Sequence, residues 1–267
     1  MLEQFEHASI LVLGSGTSVG VPMIGCRCKV CTSSDPRDSR LRPSVLLRLG
    51  DKRILIDTSP DFRYQALRYG IDRIDAILFT HSHADHILGL DDVRPFNFLQ
   101  RRDIPIYTSE PSLEVIQRTF HYVFDNSPSE SSRPRLRPIV FGDEPIEVEG
   151  VTIQPIRVNH GATGTAYGFR FGDCAYLTDH SDIPAESQEK LTGLDVLFLD
   201  ALRHNPHPTH STVEESLRTV EKLNPGRAFF THISHDLLHA AVESRLPAKV
   251  RVAYDGLEIP IGWGDCA

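Results

Sequence analysis

The chain has 267 residues, with 28 Lys+Arg against 36 Asp+Glu for a formal net charge of −8, 40% apolar residues and as many as 13 His. Those proportions exclude a disordered tail, a collagen-like repeat and a small disulfide scaffold. The acidic balance makes nucleic acid an unexpected partner, because neutralising phosphates needs a basic footprint.

Met1 to His7 includes Glu3 and Glu6 and no basic stretch, so it does not read as a secretory signal. No apolar run approaches the roughly 20 residues of a membrane span. The longest lies around Ile10–Leu13 and ends at Gly14. The expectation is a cytoplasmic protein with no membrane partner. Three of the five cysteines, Cys26, Cys28 and Cys31, crowd into one short segment. Without an export signal, such crowding points to metal binding more than to disulfides. Cys174 and Cys266 have no such company and read as ordinary thiols.

In chain order, Ile10–Leu13 reads as a buried strand before the turn Gly14-Ser15-Gly16. Val45–Leu49 and Arg53–Asp57 flank Gly50-Asp51, a hairpin signal that rests on positive-φ turn residues. Asp61 to Tyr69 reads as a helix stopped by Gly70. Ala76–Thr80 and Ile104–Thr108 read as strands, and Pro111 to Tyr122 as a helix. Asn126 to Pro138, rich in Ser, Pro and Arg, reads as a solvated loop. Its alternative is a mobile loop whose Arg133, Arg135 and Arg137 meet an anionic substrate. Further strands are expected at Val151–Val158, Tyr167–Phe171, Ala175–Thr178, Val196–Leu199, Arg227–Thr231 and Val250–Ala253, with helices at Val213–Leu223 and Asp236–Arg245. No fixed-period repeat suggests a solenoid. Many strands with few helices suggest two sheets with helices outside, in one α/β domain over residues 1–267.

The strongest chemical signal is His81-Ser82-His83-Ala84-Asp85-His86, directly after a strand. His81 and His83 are two apart, so extended backbone points both side chains the same way, toward one metal. Asp85 and His86 are adjacent and suit a second metal beyond a turn. Open α/β sheets place their sites at the carboxyl ends of strands, where this sequence has His160, Asp179 and His232.

HxHxDH after a strand, with later His, Asp and His at strand ends, resembles the metallo-β-lactamase-fold hydrolases over nearly the whole chain. The resemblance implies a four-layer αββα sandwich. By position it gives one metal to His81, His83 and His160 and the other to Asp85, His86 and His232, with Asp179 bridging and Asp57 supporting the shell. It implies two divalent ions, Mn²⁺ or Zn²⁺ with Fe as a further candidate, since His and Asp ligands suit all three. Cys26, Cys28 and Cys31 leave a tetrahedral zinc one ligand short, and His235, in Thr231-His232-Ile233-Ser234-His235, offers the fourth. A structural Zn²⁺ on a loop at about residues 25–32 resembles the subgroup containing the phosphoribosyl cyclic phosphate phosphodiesterases and the coenzyme PQQ synthesis B proteins.

His210-Ser211-Thr212 is similar to the proton-donating histidine segment of ribonuclease Z and of the cyclic phosphodiesterases, with Asp200 at the preceding strand end as its orienting acid. An alkoxide is a poor leaving group unless protonated as the P–O bond breaks. The expected activity is metal-dependent hydrolysis of a small, anionic phosphodiester, preferentially a cyclic one, with His210, Asp200 and Asp85 in catalytic roles. A PQQ synthesis B-like oxidation, a metal-binding accessory role and ribonuclease Z-like tRNA processing are the rival readings. The subgroup resemblance implies a homodimer. His7, His121, His180 and His239 are expected to be chemically idle, and His204 and His207 carry no specific signal.

Overall fold

Strands buried on both faces read as unbroken apolar runs rather than alternating ones, and this chain has many such runs. The structure, a computed structural model, describes residues 8–125 and 131–262. The first half of the chain supplies β1 (Ala8–Gly14), β2 (Ser44–Leu49), β3 (Lys52–Ile56), β4 (Ala76–Leu78), β5 (Ile104–Thr108) and β6 (Leu136–Val140). The second supplies β7 (Ile146–Val148), β8 (Val151–His160), β9 (Gly164–Phe171), β10 (Cys174–Leu177), β11 (Val196–Asp200), β12 (Arg227–Thr231) and β13 (Val250–Val252). β14 (Glu258–Pro260) crosses back, giving two seven-stranded sheets of order β14-β1-β2-β3-β4-β5-β6 and β13-β12-β11-β10-β9-β8-β7.

Alternate side chains along these strands go to different cores. In β1, Ile10 and Val12 pack between the sheets while Leu11 and Leu13 face outward. In β11, Val196 and Phe198 face the other sheet, and Leu197 and Leu199 face helices. The outer core of the first sheet is closed by α1 (Phe62–Arg68), α2 (Ala84–Ile87), α3 (Arg94–Gln100) and α4 (Glu110–Thr119), which contribute Phe62, Ile87, Phe96 and Ile116, with α5 (His121–Phe124) beside them. The outer core of the second is flanked by α6 (Ala185–Glu189) and closed by α7 (Val213–Leu223) and α8 (His239–Glu243), which contribute Val213, Val220 and Val242. Three cores separate four layers, so the αββα sandwich is the observed fold.

Some expected elements differ. The single helix expected over Pro111–Tyr122 breaks at Phe120, whose φ of −108° and ψ of 42° leave the helical region, so two helices form. The loop expected over Asn126–Pro138 runs into β6, which pairs parallel with β5. Its residues 126–130 lie outside the described ones, as does Cys266. β6 is an edge strand, where a proline such as Pro138 is tolerated. Arg133 donates to the Tyr122 carbonyl and Arg135 lies 3.3 Å from Asp103, so both are held by their neighbours. α2, α3, α6, β7 and β14 were not expected; all are short and lack a clear hydrophobic period. No helix among the described residues is long and apolar enough to cross a membrane.

Phe198, fully buried between the sheets, stacks on Phe229 with ring centroids 5.0 Å apart. Phe198→Ala is expected to lower unfolding free energy by about 3–5 kcal/mol in urea denaturation. A loss under about 1 kcal/mol would show that the inter-sheet core does not depend on this ring.

Candidate active site

The site follows from strand direction. β3, β4 and β5 run parallel to one another, as do β10, β11, β12 and β13, so each sheet delivers several chain exits at one edge. The two edges are tied together by Tyr167 N–H donating to the Thr80 carbonyl (2.9 Å) and Ile233 N–H to the Ser15 carbonyl (2.9 Å). Three residues just past strand ends sit in the left-handed region, Asp57 at φ 63°, Asp179 at φ 52° and His232 at φ 59°. Non-glycine residues adopt that region at a cost of order 1–3 kcal/mol. Here it turns each side chain inward as the backbone leaves the sheet.

The residues expected from the sequence converge. His81, His83 and His160 form one set of ligand-type atoms mutually within 4.8 Å, and Asp85, His86, Asp179 and His232 form a second. In the first set, His81 Nε2 and His160 Nε2 lie 2.9 and 3.2 Å from His83 Nδ1. Asp179 reaches both sets: its Oδ2 is 3.9 Å from His81 Nε2 and 3.4 Å from His232 Nε2, and its Oδ1 is 3.3 Å from His86 Nε2. His86 Nε2 and both ring nitrogens of His232 are buried without a hydrogen bond, although carboxylates stand this close. Near but misaligned donors and acceptors fit a cation between them better than they fit each other. The donor chemistry, imidazole and carboxylate, suits first-row divalent metals.

Outer partners fix the rings. Asp57, completely buried, takes His86 Nδ1 at 2.7 Å and accepts from the Thr80 backbone N–H and hydroxyl at 2.8 Å each. His160 Nδ1 donates to the Thr209 carbonyl at 2.8 Å. Holding one ring nitrogen leaves the other to face the centre. Burial opposes the charged form of His232, but Asp179, Asp85 and Asp200 override it and push its pKa up to about 9. His86 is raised in the same way, against burial, chiefly by Asp179 and Asp85. Burial holds His81 well below its ordinary value.

His210 Nδ1 lies 2.7 Å from Asp200 Oδ2, and its Nε2 is 4.0 Å from Asp179 Oδ2. Asp200, also completely buried, accepts from the His180 backbone N–H at 3.2 Å. Thr212 caps α7 through a reciprocal bond with Glu215, which fixes the segment just past His210. Thr80, Thr209 and the His180 amide were missed as outer partners. Thr80 was legible as the residue before the motif, whereas a carbonyl or an amide leaves no sequence signal.

Beside this centre, Cys26, Cys28, Cys31 and His235 form a further set. Cys26 Sγ and Cys28 Sγ lie 3.3 and 3.5 Å from His235 Nδ1. The Cys31 amide and His235 lower the Cys28 thiol to about 6, favouring the thiolate that metals bind. Four protein donors match a closed structural zinc site.

Residues 52–233 match the beta-lactamase superfamily domain. The chain belongs to the beta-lactamase superfamily. It is similar to a solved diphosphatase of the PhnP family, at 51% identity and a TM-score of 0.89 over 94% of this chain and 97% of that one. A Porphyromonas gingivalis protein named octanoyltransferase is 42% identical over 93% of this chain, which spans only 50% of that protein's length. Zinc-bound PqqB from Methylobacterium extorquens shares the fold, with a TM-score of 0.75 at 20% identity over 94% of this chain and 99% of that one. Membership in the superfamily brings with it a metal-dependent hydrolase fold.

Asp57→Asn removes the carboxylate that orients His86 while leaving the ligands in place. It is expected to weaken divalent-metal affinity about 10–100-fold, read by titrating metal into chelator-stripped protein. Unchanged affinity would mean that Asp57 serves packing alone.

Proposed function

We propose that this protein is a phosphodiesterase that hydrolyses a small anionic phosphodiester, preferentially a cyclic one, with two divalent cations in the centre and a structural zinc in the cysteine loop. The observation that carries the reading is the His210–Asp200 pair set beside the carboxylate shared by the two ligand sets. A hydrolase working on a bond with a good leaving group has no need of such a proton donor. The similarity to a PhnP-family diphosphatase supports the phosphoryl class.

His81, His83 and His160 would hold one cation, and Asp85, His86 and His232 the other, with Asp179 between them. When bound, such a pair supplies a nucleophile ionised from water near neutral pH and neutralises charge on the phosphoryl oxygens. The protein's own contribution is positional. Asp57 and Thr209 hold ligand rings in one orientation, which fixes the attack line at phosphorus. Asp200 takes the Nδ1 proton of His210 in a hydrogen bond and stabilises the imidazolium. That leaves the Nε2 proton to pass to the departing oxygen. A cavity of about 560 Å³ opens beside His81, His83 and His160, the size of a small-molecule site.

Hydrolysis of a 2′,3′-cyclic nucleotide and of bis-p-nitrophenyl phosphate by metal-loaded protein tests the reading. Asp179→Ala is expected to abolish both activities. His210→Ala should lower kcat by about 10²–10⁴ on the cyclic nucleotide, whose leaving group is an alkoxide. The loss should be smaller on the nitrophenyl ester, whose leaving group is a stable anion. An equal loss on both would contradict the proton-donor role, and inactivity with Mn²⁺, Zn²⁺ and Fe²⁺ alike would sink the phosphodiesterase reading.

A further inference from the structure

The cysteine loop carries a second pattern inside its four metal donors. Thr32 donates to the Cys28 carbonyl twice, from its backbone N–H at 3.1 Å and from its hydroxyl at 2.9 Å, so Cys28-Lys29-Val30-Cys31 closes a single helical turn. Residues three apart on such a turn have Cα atoms about 5 Å apart, inside the roughly 4.4–6.8 Å that a disulfide bridges. The Cys31 amide donates to Cys28 Sγ at 3.4 Å, which stabilises negative charge on that sulfur.

The two sulfurs differ in their surroundings. A cavity of about 410 Å³ opens between the loop and α8, and of the three loop cysteines only Cys28 lines it. Lys29 and Arg245 stand on its walls against the single carboxylate of Asp236. An open, electropositive setting of this kind is where thiolates react. Cys31 Sγ is off those walls and accepts from the Met23 amide at 3.4 Å. Cys174, by contrast, is completely buried in the core.

We propose that Cys28 and Cys31 form a reversible thiol modification site, which hydrogen peroxide oxidises to a disulfide that opens the zinc site of the loop. Cys28 Sγ attacks the O–O bond, keeps one oxygen as a sulfenic acid and releases the other as hydroxide. Cys31 Sγ then displaces hydroxide from Cys28 Sγ and closes the S–S bond. The two thiolates lose two electrons, and the peroxide gains them and leaves as two hydroxide ions. Cys26 and His235 are then the donors that remain, two short of a tetrahedral zinc site. A dithiol reverses the step by thiol–disulfide exchange. The inference rests on the zinc reading of this loop and is independent of the reaction at the histidine centre.

Asp179→Ala protein, in which the loop ion is the one expected to remain, is loaded with Zn²⁺, freed of excess metal and treated with about a tenfold excess of hydrogen peroxide. Released zinc is read with a chromophoric chelator, and disulfides are mapped by peptide mass spectrometry there and in zinc-loaded wild-type protein. One zinc per chain should be released together with formation of a Cys28–Cys31 disulfide, and dithiothreitol with added zinc should restore both. Ala241→Phe narrows the cavity without touching a ligand, so it should slow release at least about threefold at unchanged zinc content. Cys174→Ser should release zinc at the unaltered rate. A disulfide through Cys26, a sulfonate at Cys28, zinc retained under peroxide, or a rate indifferent to Ala241→Phe overturns the assignment. If the loop holds no zinc before treatment, the zinc reading fails, and the mapped presence or absence of the Cys28–Cys31 disulfide still decides the thiol site.

Discussion

The constraint on which the rest of this structure depends is the crowding of ligand atoms in a buried centre. Two carboxylates and the imidazoles of His86 and His232 meet within 4.8 Å, and His86 Nε2 and His232 Nε2 find no hydrogen bond there. Buried polar groups left in that state each cost about 1–3 kcal/mol. A sequence that keeps them needs a cation to offset the cost. Binding such a cation then becomes part of the folding free energy.

The architecture serves that requirement at each level. Apolar runs bury both faces of two sheets, which makes the strand exits rigid reference points. Left-handed residues at Asp57, Asp179 and His232 convert those exits into inward-aimed side chains. The cysteine loop is not independent of the centre. His232 and His235 belong to one segment, and Ile233 between them is hydrogen-bonded to Ser15 and Thr17 from the opposite sheet. A zinc ion at His235 would therefore brace the backbone that presents His232.

Much of this was legible in the sequence because the chemistry is local or punctuated. HxHxDH is a six-residue signal, and His160, Asp179, Asp200 and His232 each lie at the end of a segment that reads as a strand. The strands themselves were visible as buried runs, apart from the three-residue β7 and β14 and the edge strand β6, where Arg135, Arg137 and Pro138 mask the pattern. α3 was invisible because Pro95, Asn97 and Gln100 interrupt its apolar face. The role of Thr209 depends on a carbonyl brought near by tertiary packing, which no spacing encodes, whereas Thr80 directly precedes the motif.

The central claim is that His81, His83 and His160 hold one cation and Asp85, His86 and His232 another, the two sharing Asp179, beside a third ion in the cysteine loop. Native mass spectrometry with elemental analysis of fully loaded protein measures this directly. Three metal ions per chain are predicted, falling to one in Asp179→Ala with the cysteine site still filled. A single ion per chain in the wild-type protein would contradict the account.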